Sequence, residues 1–211
     1  MLLHRIHLDL RCKEARRDLA DPYQMHSTLC RAFAVPEERA KGAFLWRLEP
    51  ETDRHGNPKL ILQSSNAADW ARIGVQGYFY GSPDAPLEHF SKLKLDRLKG
   101  GERFRFRLRA NPCVTRSGKR IGLLNLDQQL AWLSRKGVLH GFDIGGVNVS
   151  DERMLSGNRR ESTQSLKLFS VLFDGFLKVD DPEKFRLTLA SGIGHGKAFG
   201  LGLLSIVPTR R

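Results

Sequence analysis

Apolar residues near the start of the chain follow a strand period first and a helix period afterwards. In residues 2–10 apolar and polar side chains alternate, which predicts a β-strand with one buried face. The basic residues 11–17 are predicted to form a loop. Asp21 and Pro22 are typical of a helix start, because Asp accepts hydrogen bonds from the first unpaired amides and Pro has no amide to leave unpaired. The apolar positions that follow have helical spacing, so we expect an amphipathic helix that ends before Pro36.

The later elements complete two units with the same order. The predicted elements are strands at 44–48 and 60–63, a short helix at 69–73, a strand at 77–80, a strand at 102–110, a helix at 127–136, strands at 144–154 and 164–179, a helix at 182–189 and a strand at 199–207. Each unit therefore has the order β-α-β-β-α-β, which is the ferredoxin-like order. We predict an α+β fold of two tandem ferredoxin-like domains, residues 1–88 and 102–211, with a linker at 89–101.

Composition adds a strong positive charge. The 211 residues include 35 Lys and Arg against 23 Asp and Glu, a formal net charge of +12, which favours nucleic acid as the partner. No apolar run approaches the roughly 18 residues that cross a membrane. Three widely spaced cysteines and seven scattered histidines form neither a disulfide framework nor a metal-binding motif. We therefore expect a cytoplasmic protein with no membrane contact, no metal and no other cofactor.

Four arginines share one face of the predicted strand at 102–110, because every second residue of a strand points the same way. They are Arg103, Arg105, Arg107 and Arg109. Like charges in a row repel one another, and no acidic residue lies between them. An anionic partner would relieve this repulsion. The alternative is a solvated strand face whose charge only keeps the protein soluble.

Two other basic segments lie in predicted loops. Residues 111–122 include Lys119 and Arg120, and a hairpin tip between the two long strands carries Arg159 and Arg160. A basic tip can follow a phosphate backbone, because an A-form RNA stem is recognised by its shape and backbone rather than by its base edges. An ordinary polar turn is the alternative at 159–160, and the sequence pattern does not separate the two.

A glycine-rich run at 192–205 is suited to phosphate. Gly192, Gly194 and Gly196 allow close approach of a polyanion to the backbone amides, and Lys197 adds a positive charge. The run lacks the Ser or Thr that follows the lysine of a Walker loop, and no acidic residue follows it as a dinucleotide fingerprint requires. A nucleotide cofactor is therefore not expected. The alternative is a tight turn that leads into the last strand.

Five stretches form a combined signature over nearly the whole chain. They are Arg16-Arg-Asp-Leu-Ala-Asp-Pro-Tyr-Gln-Met-His26, Leu45-Trp-Arg-Leu-Glu49, Phe104-Arg-Phe-Arg-Leu-Arg-Ala-Asn-Pro112, Gly118-Lys-Arg120 and Gly192-Ile-Gly-His-Gly-Lys-Ala-Phe-Gly-Leu-Gly-Leu-Leu-Ser205. In this order they resemble the CRISPR repeat-processing endoribonucleases of the type I-E Cascade assembly, the CasE family. The resemblance implies RRM-related domains and metal-independent cleavage of CRISPR precursor RNA at the base of the repeat stem-loop. Attack by the 2′-OH would leave 5′-OH and 2′,3′-cyclic phosphate ends.

The resemblance also implies partners and site residues. The product would stay bound as the 3′ hairpin of the guide RNA, together with other Cascade subunits. The resemblance assigns catalysis to His26 and to Tyr23 on the same helix face. Histidine is suited to this role because it can accept and donate a proton near neutral pH. The residues expected to bind RNA are basic or glycine: Arg16, Arg17, Arg103, Arg105, Arg107, Arg109, Lys119, Arg120, Arg159, Arg160, Gly192, Gly194, Gly196 and Lys197.

Three other interpretations use the same residues. His26 could be a partly buried histidine that is hydrogen-bonded at a helix start, and the protein would then be a non-cleaving RNA-hairpin-binding subunit of a ribonucleoprotein complex. A DNA-binding or architectural protein would share every basic feature. A P-loop enzyme is the least compatible, because its phosphate loop lacks two of its required residues.

Overall fold

The computed structural model describes residues 1–33, 44–158 and 165–209. The chain forms two compact units, each assembled from segments that are far apart in sequence. Unit 1 contains Met1–Lys92, Leu155–Lys167 and Lys197–Gly200, and unit 2 contains Leu93–Met154, Leu168–Gly196 and Leu201–Arg211. Across the described residues, no helix is both long enough and apolar enough to span a membrane.

Unit 1 is built on a four-stranded antiparallel sheet. The elements in chain order are β1 (Leu2–His7), α1 (Lys13–Ala20), α2 (Pro22–Cys30), β2 (Phe44–Thr52), β3 (Pro58–Ser64), a 3-10 turn (Trp70–Ile73), β4 (Leu87–Glu88) and α3 (His89–Lys92). The strands lie in the order β2-β3-β1-β4, so the first strand is paired with the third and the fourth. This is the ferredoxin-like arrangement, with the second helix shortened to the 3-10 turn.

A second sheet repeats this arrangement. Its elements follow a 3-10 turn (Leu95–Arg97) and are β5 (Arg103–Ala110), β6 (Cys113–Arg116), β7 (Lys119–Gly122), α4 (Leu126–His140), β8 (Phe142–Asn158), β9 (Ser165–Val179), α5 (Pro182–Ser191), a 3-10 turn (Lys197–Phe199) and β10 (Leu204–Pro208). The strand order is β10-β5-β9-β8, again with the first strand between the third and the last. The prediction of two ferredoxin-like sheets in one α+β chain is confirmed.

Helix α2 begins as its sequence predicts and packs its apolar stripe into the core of unit 1. The Asp21 carboxylate accepts hydrogen bonds from the amides of Tyr23 and Gln24, which are otherwise unpaired at a helix start. Met25 and Leu29 are at most 1% exposed and belong to the same buried cluster as Ile6 of β1. The helix is therefore held at its start by a cap and along one face by the core.

The basic segment 11–17 is largely helical, and the predicted loop is wrong. Helix α1 runs over Lys13–Ala20 because Ala15 and Asp18 provide an inward face despite the surrounding charge. The buried Asp18 carboxylate accepts a hydrogen bond of 2.8 Å from the Tyr78 hydroxyl. That partner lies sixty residues away, so the local sequence does not show that Asp18 is an inward residue.

The strand that closes the first sheet is also displaced from its predicted position. Residues 77–80 contribute only an isolated bridge between Phe79 and Leu8, and the fourth strand is β4. Gly77 and Gly81 have φ values of 69° and 74°, which interrupt an extended strand at both ends of this segment.

Residues 111–122 form a hairpin rather than a loop. Strands β6 and β7 pair through Arg116 opposite Lys119, and the two residues between them, Ser117 and Gly118, both have positive φ. Positive φ at both central residues is the requirement of a two-residue hairpin whose twist matches its strands. The hairpin is an insertion between β5 and α4 of the second ferredoxin-like set.

Candidate active site

Helix α2 holds His26 and Tyr23 one turn apart. The His26 ring lies 5.1 Å from the Phe44 ring, centroid to centroid, at an interplanar angle of 37°. The Sγ atom of Cys30 is 3.8 Å from His26 Nε2. These contacts leave His26 only 7% exposed, while Tyr23 is half-buried. The imidazole is therefore largely buried and held in a defined orientation.

The C-terminal glycine run reaches this helix. The 3-10 turn Lys197–Phe199 packs against α2, and the Lys197 side chain is exposed. The turn, α2 and the end of β8 all belong to unit 1. A cation and the two candidate proton-transfer side chains thus lie on neighbouring elements, although about 170 residues separate them in the chain.

Gly157 on β8 makes this neighbourhood possible. A Cβ atom at Gly157 would lie 2.9 Å from the Phe199 ring and 3.0 Å from Oδ1 of Asp21, the cap of α2. Distances this short are not tolerated between packed atoms, so only glycine allows β8 to pass so close to both groups. The end of β8, helix α2 and the Lys197–Phe199 turn therefore meet at one place.

The glycine run is itself a structural turn. All five glycines of the run have positive φ, between 74° and 93°: Gly192, Gly194, Gly196, Gly200 and Gly202. At Gly200 a Cβ would come within 2.7 Å of the Trp46 ring. The Gly192 and Gly202 amides donate to the carbonyl oxygens of Thr188 and Arg109, so these two amides serve the fold. The last strand accordingly starts at Leu204, later than predicted.

Arg16 and Arg17 are exposed residues of α1 that also hold local structure. Arg16 Nη1 donates to the backbone carbonyls of Leu10 and Arg11 at 2.6 and 2.9 Å. Arg17 donates to the buried Asp18 carboxylate at 2.6 Å, and this hydrogen bond raises the pKa of Arg17. Both guanidinium groups are thus oriented by the protein before any ligand arrives.

The first three arginines of β5 fall into two classes. Arg103 and Arg105 are exposed. Arg107 stands directly opposite Asp174 of β9, and its Nε donates to that carboxylate at 2.7 Å. The repulsion that the sequence predicts is therefore relieved at Arg107 by a cross-strand carboxylate, without an external anion.

The fourth arginine, Arg109, is buried. It donates to the Asp151 carboxylate and, at 3.3 Å, to the Ser170 hydroxyl. Burial alone would raise the pKa of Asp151, but the hydrogen bonds from Arg153 and Arg109 outweigh it and hold that pKa below its ordinary value. Asp151 and Asp174 were not predicted as partners, because only the pairing of strands brings them to β5.

The remaining basic candidates form two pairs, one on β7 and one in the segment between β8 and β9. Lys119 and Arg120 are exposed on β7 of the inserted hairpin. Arg159 and Arg160 lie outside the described residues, between the end of β8 and the start of β9. In the described part of the chain, no group of three His, Cys, Asp or Glu side chains could hold a metal ion.

Phe44 and Cys30 are parts of the site that had no predicted role. Cys30 follows His26 by four residues on the same helix, and this spacing was an available signal for the contact. Nothing in the local sequence marks Phe44, which starts β2 and reaches His26 through the tertiary fold.

Comparison with known proteins gives full-length relatives. The chain is 37% identical over 220 aligned residues to the CRISPR-associated endoribonuclease Cse3 of Thermus thermophilus, with 99% of this chain and 100% of that protein covered. It is 32% identical to the CRISPR system Cascade subunit CasE of Escherichia coli, with 92% and 96% covered. The structure of Thermus thermophilus Cse3 bound to an RNA that represents a pre-cleavage complex matches with a TM-score of 0.83 at 36% identity, covering 98% of both chains.

A family model described as CRISPR associated protein matches residues 1–208. The match spans helix α2, both sheets and the glycine run. Full-length relatives and the family model thus agree on the same stretch of sequence. This chain belongs to the family of CRISPR associated proteins.

Proposed function

We propose that this protein is a metal-independent endoribonuclease that cleaves CRISPR precursor RNA at the base of the repeat stem-loop. Its 37% identity over nearly the full chain to the endoribonuclease Cse3 supports RNA cleavage as the activity. Its 32% identity to the Cascade subunit CasE supports a ribonucleoprotein complex as the setting. There the protein keeps the 3′ hairpin of the guide RNA bound beside other Cascade subunits.

The observation that carries this proposal is the packing of the Lys197–Phe199 turn against α2. It places Lys197, whose side chain is exposed, on an element next to the helix that holds His26 and Tyr23. Proton transfer and stabilisation of developing negative charge are the two requirements for opening a phosphodiester. Both can then act on the same phosphate.

The RNA itself supplies the nucleophile. The 2′-oxygen forms a bond to the adjacent phosphorus while the bond from phosphorus to the 5′-oxygen breaks. The 2′-hydroxyl loses a proton and the leaving 5′-oxygen gains one, so the products carry a 2′,3′-cyclic phosphate and a 5′-OH. These changes balance without water or a metal ion, and proton transfer is the chemistry that the protein must add.

His26 transfers a proton at one of these two oxygens. Its ring is held by Phe44 and Cys30, so little orientational freedom is lost when the substrate arrives. Tyr23 orients the 2′-hydroxyl or donates a hydrogen bond to the phosphate, and Lys197 holds the phosphate as a point charge. General acid–base catalysis of this kind contributes about 10²–10⁴ in rate.

The stem is held by cations that the protein exposes. We assign this role to Arg16, Arg17, Arg103, Arg105, Lys119, Arg120 and Lys197, with Arg159, Arg160 and the backbone at Gly192, Gly194 and Gly196 as further contacts. Arg107 and Arg109 support the sheet through their carboxylate partners. Because phosphate contacts dominate, affinity for the hairpin falls steeply as salt increases.

Cleavage of the host repeat RNA in EDTA tests the proposal. We expect wild type to produce 5′-OH and 2′,3′-cyclic phosphate ends, and His26→Ala to cut at least about 100-fold more slowly while binding normally. His55→Ala, which removes an exposed histidine from the β2–β3 turn, is the matched control. Replacement of the scissile 2′-OH by hydrogen should abolish cleavage and leave binding intact.

The competing function is a subunit that binds the hairpin and cuts nothing. RNA that remains intact in EDTA, or equal cleavage by wild type and His26→Ala, would favour that function. Equal affinity for the matching DNA hairpin would favour a DNA-binding protein, because the 2′-hydroxyl is what separates the two nucleic acids.

A further inference from the structure

One face of the β10-β5-β9-β8 sheet carries an aromatic ring among cations. Phe104 and Phe106 of β5 point into the core and are at most 6% exposed. On the opposite face, Phe176 of β9 is 48% exposed and stands directly across from Arg105. Next to this pair, Lys178 stands across from Arg103.

The aromatic ring borders a cleft. The cleft has a volume of about 240 Å³ and is lined by Arg103, Asp143, Ile144, Gly145, Phe176, Leu177 and Lys178. All of these residues belong to unit 2. An exposed phenyl ring is therefore accessible at the wall of a concave site rather than isolated on a flat surface.

Gly145 is a glycine that the fold does not require. Its φ is not positive, and a Cβ there would lie 3.6 Å from the Phe176 Cβ, an ordinary van der Waals contact. Gly175 on the next strand differs, because its Cβ would lie 2.7 Å from the Gly146 carbonyl oxygen. Glycine inside a strand costs stability, and one of the functions that retains it is the close approach of a ligand to the backbone.

The charges around the ring favour an anion. Arg103, Arg105 and Lys178 face two carboxylates, Asp143 at the cleft and Asp180 beside Lys178 at 3.4 Å. Asp143 also accepts a hydrogen bond from the Ile144 amide at 2.9 Å. Three cations against two carboxylates leave a net positive rim. An apolar protein segment would have to desolvate this rim, whereas a nucleic-acid strand is complementary to it.

We propose that this cleft binds unpaired nucleotides of a single-stranded RNA. One base stacks on Phe176 over the bare backbone at Gly145, and the adjoining phosphates contact Arg103, Arg105 and Lys178. Sequence-tolerant stacking on an exposed aromatic side chain flanked by cations is the general mode of single-strand recognition on sheets. The site shares Arg103 and Arg105 with the proposed stem contacts, and it goes beyond the proposed cleavage function because stacking on Phe176 needs neither the stem-loop nor His26.

Binding of a short unpaired strand tests the site. The probe is a fluorescently labelled 2′-O-methyl oligoadenylate of about eight nucleotides, which has no hairpin and no 2′-OH to attack. Fluorescence anisotropy is measured with wild type, Phe176→Ala and Gly145→Leu. We expect Kd to rise about tenfold for Phe176→Ala, through loss of stacking, and at least as much for Gly145→Leu, through filling of the cleft.

Matched controls separate this site from general effects. Leu187→Ala removes another exposed apolar side chain, on α5, and Arg97→Gln removes an exposed cation; both should leave Kd within about twofold of wild type. Photocrosslinking with an oligonucleotide that carries 5-iodouracil, followed by peptide mapping, should place the crosslink on β9. This second measurement does not depend on how the variants fold.

The outcomes are distinguishable from those of the cleavage proposal. Equal Kd values for wild type, Phe176→Ala and Gly145→Leu would overturn the site, as would crosslinks that map away from the cleft. Absence of probe binding would do the same and leave this face to a protein contact. None of these results bears on His26, because the probe cannot be cleaved.

Discussion

The Sγ atom of Cys30 lies 3.8 Å from Nε2 of His26, one turn further along α2. Together with the Phe44 ring, whose centroid lies 5.1 Å from that of His26, it limits the positions that the imidazole can adopt. A side chain that transfers a proton must lie within hydrogen-bond reach of the reacting oxygen, so its orientation affects the rate. Cys30 is therefore a positioning residue in the proposed mechanism.

Cys30→Ala should lower the cleavage rate constant by about tenfold while the Kd for repeat RNA stays unchanged, because only the setting of His26 is altered. Single-turnover cleavage across pH 5–9 provides the measurement, and the profile should change in the limb that reports His26. Cys113→Ala is the control, since Cys113 lies on β6. An unchanged pH–rate profile for Cys30→Ala would show that Cys30 contributes only to packing and does not position His26.

Gly157→Ala should reduce both stability and cleavage. The added Cβ would lie 2.9 Å from the Phe199 ring and 3.0 Å from the Asp21 carboxylate, so β8 or the turn must move. Overpacking of this kind costs about 1–3 kcal/mol. Thermal unfolding and single-turnover cleavage measure the two effects.

Gly146→Ala is the comparison on the same strand, because nothing lies within 4 Å of a Cβ at that position. Its stability should equal or slightly exceed that of wild type, since alanine reduces the freedom of the unfolded chain. Equal stability of the Gly157 and Gly146 variants would contradict the packing described for α2, β8 and the turn.

The two aspartate caps offer a matched pair. Asp21→Ala and Asp181→Ala each remove a cap from a helix that begins Asp-Pro, so each should cost about 1 kcal/mol of unfolding free energy. Only Asp21→Ala should also slow cleavage, because its helix carries Tyr23 and His26. Urea unfolding and the cleavage rate are measured for both. Equal cleavage rates for Asp21→Ala and Asp181→Ala would show that the cap of α2 does not affect the cleavage step.

Arg105 and Arg109 should respond differently to the same substitution. Arg109→Gln removes a buried guanidinium from Asp151, which keeps Arg153 as a partner, and should cost about 1.5–3 kcal/mol of stability. Arg105→Gln should change stability by less than about 0.5 kcal/mol but weaken hairpin binding and reduce the salt dependence by about one phosphate contact. Titrations of repeat RNA at several salt concentrations test the second effect. A salt slope that does not change would remove Arg105 from the RNA contact.

Asp53 should make stability depend on pH in acid. Partial burial alone would raise its pKa, but hydrogen bonds from Asn57 and His55 lower it to about 2, below the ordinary value of 3.8. A depressed pKa stabilises the folded state above the unfolded pKa, and the contribution is lost as pH falls from about 4 through about 2. Asp53→Asn should therefore be less stable than wild type at pH 7, and the difference should shrink at pH 3. Urea unfolding at both pH values measures it.

Local sequence was sufficient wherever the deciding interaction is short-range. The Asp-Pro start of α2 was predicted because a cap involves only neighbouring amides. The alternation in β5 was predicted because strand geometry has a period of two. The tight turn in the C-terminal run, which the sequence offered as the alternative to a phosphate-binding loop, has the same local origin, since positive φ belongs to a single residue.

Long-range contacts decided what local patterns could not. The helical state of α1 depends on Asp18 and Tyr78, and the state of Arg107 depends on Asp174 from another strand. The row of four arginines was predicted as one surface, whereas strand pairing makes Arg109 a buried structural residue. The position of the fourth strand of the first sheet also depended on its pairing with β1. Residues that are close in sequence to the fourth strand carry no information about that pairing.

The sequence by itself determined the element order except for α1, the β6–β7 hairpin and the position of β4, and it determined the two ferredoxin-like sheets, the charge that favours nucleic acid and the motifs of the family. Each of these follows from periodicity, composition or neighbouring residues. Only the tertiary structure decided that the Lys197 turn, Gly157 and the His26 helix meet in one unit, and that Phe176 lies exposed beside Gly145. The physical reason is that packing joins residues through space, and the contacts that close such a site are absent until the chain has folded.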